Sequence, residues 1–378
     1  MNKNESYDLT YVTIDSLLEG VGSSQIIPLL TRLSKTGLKI NLISYEKTEP
    51  SNDLVDQLRT LGVKWNSQHF GSNGLIGGLG RLNNLRLEIP KCDLIHARSD
   101  IPAVSGIASG KAPVLWDVRS LWADQKVIIQ DSLINRALYG SYRGLESIAA
   151  NKSLGMSTLT SAVLPILEER HRRIPGLRTV VPTAVDLNRF QLESKMPANF
   201  RALFSGTYND YYDLNLSALF MIEIRKQIRI ETHWARPSES NKSQIGVGEL
   251  KISPASQSEM ALLIPNYSFG VSICKLDAGP SLTAAMPTKI AEFLACGRPI
   301  VVNKGLGDMD QFIAEFDAGV VLDQDVSNLP DSASKLINLI SDPDTPNRCR
   351  ALAEKYFSMD VGAEKYLKLY SEMLNRQI

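Results

Sequence analysis

A lysine and a glutamate three residues apart, Lys289 and Glu292, open the chemical reading of this chain. They lie in the stretch 271–303, which follows from a mostly apolar run, 267–273, that predicts a buried strand. A loop with Gly279 and Pro280 comes next. Pro287 suits the first position of a helix, where its missing N–H and fixed φ carry no penalty. Ile290, Phe293 and Leu294 recur at helical spacing, Gly297 ends the helix, and 299–302 predicts the next strand. A helix that starts behind a strand offers free N–H groups to an anion. Lys289 falls in the first turn, where a cation opposes the helix dipole and is better tolerated beside an anion. Glu292 lies one turn deeper on the same face. A cation for phosphate and a carboxylate for sugar hydroxyls together suit a nucleotide-sugar.

A second polar set belongs to the first half. Residues 93–97 predict a strand that delivers His96, Arg98 and Ser99 to its C-terminal end, and Val114–Val118 predicts another that delivers Asp117 and Arg119. In open α/β sheets ligands bind outside those strand ends. Two plainer readings stand beside this one: His96 as a satisfied strand-end histidine, and Asp117 with Arg119 as a buried ion pair. Around these residues the elements alternate. Residues 9–14 read as a strand, Gly20-Val-Gly-Ser-Ser-Gln as a turn, 24–35 as an amphipathic helix and 38–44 as the next strand. Gly20 and Gly22 fit a tight turn or a ligand cradle. Residues 51–62 read as a polar helix, 63–70 as a strand, and the glycine-rich 71–80 as a mobile loop or loose helix start. The pattern restarts with a strand at 201–205, the turn Gly206-Thr-Tyr-Asn-Asp-Tyr-Tyr-Asp and a helix at 214–225. In that turn Tyr208, Tyr211 and Tyr212 fit ordinary core and surface aromatics or a base-stacking platform. The run Glu168-Glu-Arg-His-Arg-Arg reads as a solvated helix face. Residues 363–377 form an amphipathic helix with Tyr366, Tyr370 and Met373 on one side.

Composition narrows the classes. The 378 residues fit two domains, and 43% hydrophobic content fills two cores. Formal net charge is zero, which removes any global case for nucleic acid. Residues 1–190 carry 22 Lys and Arg against 18 Asp and Glu, a mild basic excess that gives a weak pull toward an anionic leaflet. Four scattered cysteines make no metal spacing and read as core residues in a reducing compartment. The polar N-terminus and the lack of a long apolar run lead to the expectation of a cytoplasmic protein, with peripheral contact at the inner membrane face left open.

Residues 287–301, Pro-Thr-Lys-Ile-Ala-Glu-Phe-Leu-Ala-Cys-Gly-Arg-Pro-Ile-Val, resemble the donor-site signature of GT-B glycosyltransferases of family 4. Many members have two glutamates eight positions apart; here Glu292 matches the second and Ala284 replaces the first. His96-Ala-Arg-Ser and Trp116-Asp-Val-Arg-Ser-Leu-Trp-Ala-Asp are similar to turns in members that act on cell-surface polysaccharides. Residues 180–190 resemble the Pro-x-x-Val-Asp-x-x-x-Phe stretch at the domain junction, which places a linker at about 183–200.

The resemblance implies an α/β GT-B fold of two Rossmann-like domains facing across a cleft. Residues 1–185, with 361–378 packing back on them, would be the acceptor domain, and 186–360 the donor domain. It implies a retaining, hexosyltransferase-like enzyme that moves a sugar from a nucleotide-sugar to a saccharide or lipid-linked acceptor, without metal or cofactor. The catalytic set is then His96, Arg98, Asp117, Arg119 and Lys289, with Asp124 as a further polar group on the acceptor side. The donor-binding set is Gly22, Ser205, Gly206, Thr207, Tyr208, Lys275, Thr288, Lys289 and Glu292. Family members often carry a basic residue in the turn after Ser205; this turn has none, so phosphate binding passes to Lys289 and backbone N–H groups. Three alternatives remain: a sugar-nucleotide epimerase, a catalytically silent GT-B partner subunit, and a nicotinamide-binding protein. The last is disfavoured because the first turn lacks a third glycine and no acid ends the second strand at Ser44.

Overall fold

The computed structural model describes residues 6–18, 20, 22–71, 74–129, 131–206, 209–236, 250–255, 257–323 and 325–376. The chain divides into two compact units: Met1–Val127, Ser132–Val181 and Met359–Ile378 form one, and Ile128–Asp131 with Pro182–Ser358 the other. Each unit is built on one parallel sheet.

The first unit contains β1 (Tyr7–Val12), β2 (Ile40–Glu46), β3 (Val63–His69), β4 (Cys92–Arg98), β5 (Val114–Val118), β6 (Gly155–Thr158) and β7 (Leu177–Val180). Their order is β3-β2-β1-β4-β5-β6-β7, all parallel. A parallel sheet covered on both faces reads as continuous apolar sequence rather than alternation. The central strands do so: all seven residues of β2 and all five of β5 are buried. β2 runs two residues past Ser44 and ends on Glu46, so an acid does end the second strand. Of the glycine-rich segment 71–80, residues 74–80 open the helix Gly74–Glu88, which is the helix start among its two expected readings. The expected helix 24–35 starts with one wide turn, Gly22–Ile26, before the regular helix Ile27–Ser34. The C-terminal helix Met359–Leu374 packs on the helix Ile27–Ser34 and on β4 and β7.

The second unit contains β8 (Arg201–Ser205), β9 (Glu231–Arg236), β10 (Leu250–Pro254), β11 (Phe269–Ser272), β12 (Ile300–Asn303) and β13 (Gly319–Leu322). The order is β10-β9-β8-β11-β12-β13, again all parallel. Phe204, Phe220, Phe269, Val271, Val301 and Leu336 lie in its core. Residues 183–200, expected as a linker, are tied into this unit by arginines. Arg298, fully buried, donates to the carbonyls of Glu193 (3.0 Å), Lys195 (2.8 Å) and Pro265 (2.8 Å). Arg350 donates to those of Phe190 (2.8 Å) and Ala295 (3.0 Å). Among the described residues no helix is long and apolar enough to cross a membrane. All four cysteines are buried and free.

The helix behind β11 lies so close that a Cβ on Gly270 would sit 2.5 Å from the ring of Phe293, which is itself fully buried. Gly270→Ala is therefore expected to destabilise the second unit by about 1–3 kcal/mol through overpacking. Urea denaturation followed by tryptophan fluorescence measures it; an unchanged midpoint would show that the helix is free to move away.

Candidate functional site

In the first unit, polar side chains gather at the C-terminal ends of β1, β4, β5 and β6. The sheet register explains why. Arg98 is paired with Asp117, Asp117 with Ser157, and Tyr11 with His96. Residues two apart on a strand share a face, so Arg98 follows His96 and Arg119 follows Asp117. Asp117 is 1% exposed. Its Oδ1 accepts hydrogen bonds from Ser157 Oγ (2.9 Å) and Tyr366 Oη (3.2 Å). Arg119 Nη1 lies 3.6 Å from the same oxygen, while His96 Nε2 and Arg98 Nη1 lie 3.4 and 3.8 Å from Oδ2. Burial alone raises a carboxylate pKa, but Arg119, His96 and Arg98 outweigh it and hold Asp117 well below the usual range.

His96 is fully buried. Its Nδ1 lies 2.5 Å from Tyr370 Oη, and its ring is tilted against Tyr11 and Tyr366. Burial lowers its pKa against the pull of Asp117, and so favours the neutral ring. The tautomer that suits both neighbours carries its proton on Nε2, facing Asp117, and accepts the Tyr370 hydroxyl at Nδ1. His96 thus acts through Asp117 and the C-terminal helix rather than on a ligand. Arg98 donates from Nε to Asp15 Oδ2 at 2.7 Å, which fixes its guanidinium against the loop behind β1. Ser99 follows with φ 77° and ψ 179°, a conformation that side chains rarely adopt. Its N–H donates to the Asp117 carbonyl at 2.9 Å, which holds the turn in place.

Other expected residues are placed elsewhere. Asp124 does not join this group: Arg170 holds both of its oxygens, at 2.8 and 2.9 Å, and Tyr139 donates to it at 3.1 Å. The run 168–173 is not simply a solvated face, since Arg170 and His171 turn inward around Glu146, with His171 Nε2 2.8 Å from its Oε1. Gly22 is required by close approach, because a Cβ there would meet the Ser16 carbonyl oxygen at 2.0 Å. Glu46, at the end of β2, accepts from Leu17 N (2.9 Å), Ser44 Oγ (2.6 Å) and Ser16 Oγ. Its carboxylate is spent on the loop behind β1. Of the two objections to a nicotinamide-binding protein, the missing third glycine stands, while the missing acid is corrected: Glu46 ends β2, with its carboxylate engaged by the loop. Asp15, Tyr11 and Ser157 were missed; their positions at strand ends beside β4 and β5 were the available signal.

The second unit holds the other set. Pro287 is the cap rather than the first residue of the helix Thr288–Ala295, with Ile290 N donating to its carbonyl at 3.1 Å. Lys289 and Glu292 are both buried, at 8% and 6% exposure, on one face of that helix, with Thr288 half-buried at its start. Lys289 Nζ sits 4.1 Å from the ring centroid of Tyr212, within cation–π range. Tyr212 bridges to Cys274, and Lys275 N donates to the Tyr211 carbonyl at 2.9 Å. Tyr211 Oη in turn donates to the Ser281 carbonyl at 2.9 Å. Tyr211 is thus a core aromatic that braces the loop, and the partly buried Tyr212 faces the lysine. Ser205 ends β8, and Gly206, with φ +79°, is held by its N–H to the Ala235 carbonyl (2.8 Å) and its carbonyl to Trp234 Nε1 (2.9 Å). Lys275 is half-buried beside Cys274. Thr207 and Tyr208 lie outside the described residues. A buried cation, a buried carboxylate one turn away and a helix start make a place for an anion joined to a hydroxyl-bearing group.

No protein-family model matches the chain, and no curated protein sequence matches it. Solved structures do. A glycosyltransferase from Rickettsia africae ESF-5 superposes with a TM-score of 0.69 at 15% identity, over 98% of this chain and 99% of that one. Sucrose-phosphate synthase from Thermosynechococcus elongatus gives 0.67 at 11%, over 97% and 99%. Anabaena Alr3699/HepE, crystallised with UDP and glucose, gives 0.68 at 11%, over 97% and 100%. At such identities the likeness establishes the fold: the chain has the GT-B fold of two parallel-sheet α/β domains.

Burial lowers the Lys289 pKa to about 7 from 10.5, partly offset by Cys274 and Glu292. The unfolded chain then binds more protons than the folded one between those two values, so this residue's penalty is full below pH 7 and fades as pH rises toward 10.5. Lys289→Met is expected to raise the melting temperature most at pH 6 and least near pH 10. Thermal melts across that range check it; a gain that grows with pH would reverse the sign.

Proposed function

We propose that this chain is a glycosyltransferase that takes a sugar from a nucleotide-sugar donor held by its second unit. The observation that carries the reading is the helix start at Thr288, where Lys289 and Glu292 are buried on one face. Glu292 accepts hydrogen bonds from the ribose hydroxyls. The diphosphate lies against the helix N–H groups and Lys289, which takes up a proton as the anion arrives. That charge matters most when the leaving diphosphate departs, because there the negative charge grows. We read the reaction as retaining and independent of metal. The bond from the anomeric carbon to phosphate breaks, the bond to the acceptor oxygen forms on the same face, and the departing phosphate oxygen takes the acceptor proton. The acceptor is a saccharide or lipid-linked saccharide of cell-surface polysaccharide synthesis, met by the strand-end arginines of the first unit. The setting is cytoplasmic.

One observation favours a second reading, a silent subunit that binds nucleotide without turning it over. Ala284, buried at 3%, stands where a glutamate is expected.

UDP, seen in the Anabaena structure, is the first nucleotide to titrate by calorimetry. Glu292→Ala removes charge-assisted hydrogen bonds of about 1.5–3 kcal/mol, a loss of roughly ten- to hundredfold in affinity. Lys289→Ala is expected to lower turnover more than ground-state binding, and turnover should persist in a chelator. Unchanged UDP affinity and turnover in both variants would remove the basis of the reading. Tight UDP binding with no hydrolysis or transfer from any UDP-sugar would favour the silent subunit.

A further inference from the structure

Arg119 follows β5 at the strand end that also carries Asp117. Its side chain is 12% exposed, and its Nε is enclosed with no hydrogen-bond acceptor. Among the described residues its one ionic contact is Asp117 Oδ1, at 3.6 Å, too long for a hydrogen bond. A guanidinium presents five N–H donors in a planar fork, and leaving enclosed donors unmet is costly.

Arg119 is not alone in having an unmet Nε, since those of Arg81, Arg143, Arg201 and Arg298 also lack an acceptor, but other enclosed arginines spend their terminal nitrogens on protein acceptors. Arg32, also 12% exposed, donates to Asp360 and to the Pro28 carbonyl. Arg170 makes a two-pronged bond to Asp124. Arg298 and Arg350 each donate to several carbonyls. Arg98, beside Arg119, has its Nε taken by Asp15. Asp117 does not complete the Arg119 fork: its Oδ1 accepts from Ser157 and Tyr366, and its Oδ2 faces His96 and Arg98 without accepting a hydrogen bond. The guanidinium therefore stands at the carboxyl ends of parallel strands, where α/β sheets bind ligands, with donors left over. The strained Ser99 turn next to Arg98 marks the same strand end.

We propose that Arg119, steadied by Asp117 and flanked by Arg98, is an oxyanion site, and that the acceptor carries a phosphate or carboxylate group that fills it. A planar two-pronged donor matches both groups. The word acceptor rests on the glycosyl-transfer reading above; the oxyanion site does not.

The test is a titration of inorganic phosphate into the full chain at constant ionic strength, with chloride as the balancing anion and UDP saturating. A parallel arm uses acetate, so that phosphate and carboxylate are separated. Phosphate or acetate is expected to bind with UDP present, and Arg119→Gln is expected to weaken that binding by about tenfold or more. Arg119→Lys keeps the charge but loses the fork, so it should fall between the two and serves if the Gln variant does not fold. Equal affinity in wild type and variants, or no binding to wild type, overturns the site. Phosphate that competes with UDP and ignores the Arg119 substitutions also overturns it, because the donor diphosphate site is then the source. If UDP binds and no Arg119-dependent anion binding appears, only this inference falls. If Arg119-dependent binding appears and no nucleotide binds, the oxyanion site stands and the glycosyl-transfer reading falls.

Discussion

The ionised carboxylate of Asp117, buried in the middle of a parallel sheet, is the constraint on which the first unit depends. A charge in that position persists only if it is paired and hydrogen-bonded. The fold supplies the partners from several elements: Ser157 from β6, His96 and Arg98 from β4, Arg119 from the turn after β5 and Tyr366 from the C-terminal helix. The last of these is why the end of the chain must return to the first sheet. Tyr366 and Tyr370 face Asp117 and His96, so losing the helix would strip a hydroxyl from each. Removing one partner from such a group leaves an uncompensated buried charge, which typically costs about 3–5 kcal/mol.

The second unit meets the opposite problem. Its buried charge is a cation at a helix start, where the dipole opposes it. Tyr212 faces Lys289 with its ring, and the Glu292 carboxylate one turn along favours its charged form. The two units thus store charge differently. In the first, a fixed carboxylate holds two arginines in place. In the second, a lysine whose pKa lies near neutrality can change its charge with what binds beside it.

What the sequence made legible follows from which interactions are local. The strand–loop–helix–strand order around Lys289, and the shared face of Lys289 and Glu292, depend on residues a few positions apart, and these were readable from periodicity and the Pro287 and Gly297 signals. His96 was legible as a strand-end residue but not as a buried one, because Tyr370 is 274 positions away. Glu46 was hidden by Ser44, whose polarity looked like a strand end although its hydroxyl donates to that same glutamate. The charged run 168–173 was misleading because charge usually marks surface, whereas Arg170 and His171 answer the buried Glu146, which lies in another helix. Residues 183–200 read as a linker from the resemblance of 180–190 to a domain junction, yet Arg298 and Arg350 hold their carbonyls from far along the chain.

These misses share a cause that bears on function. A buried polar residue gives the same sequence signal whether it serves a fold or a ligand; only the count of satisfied donors separates the two. By that count Glu46, Asp124 and Arg350 are structural, because their hydrogen bonds are made within their own unit, and Arg298 spends both terminal nitrogens on carbonyls of its unit. Arg119 is not, since its neighbours leave its fork open. Asp117 belongs to both classes. Its Oδ1 is committed to Ser157 and Tyr366, and its charge keeps Arg119 at a strand end with donors unspent. The stability of the first unit and its capacity to bind an anion therefore draw on the same carboxylate.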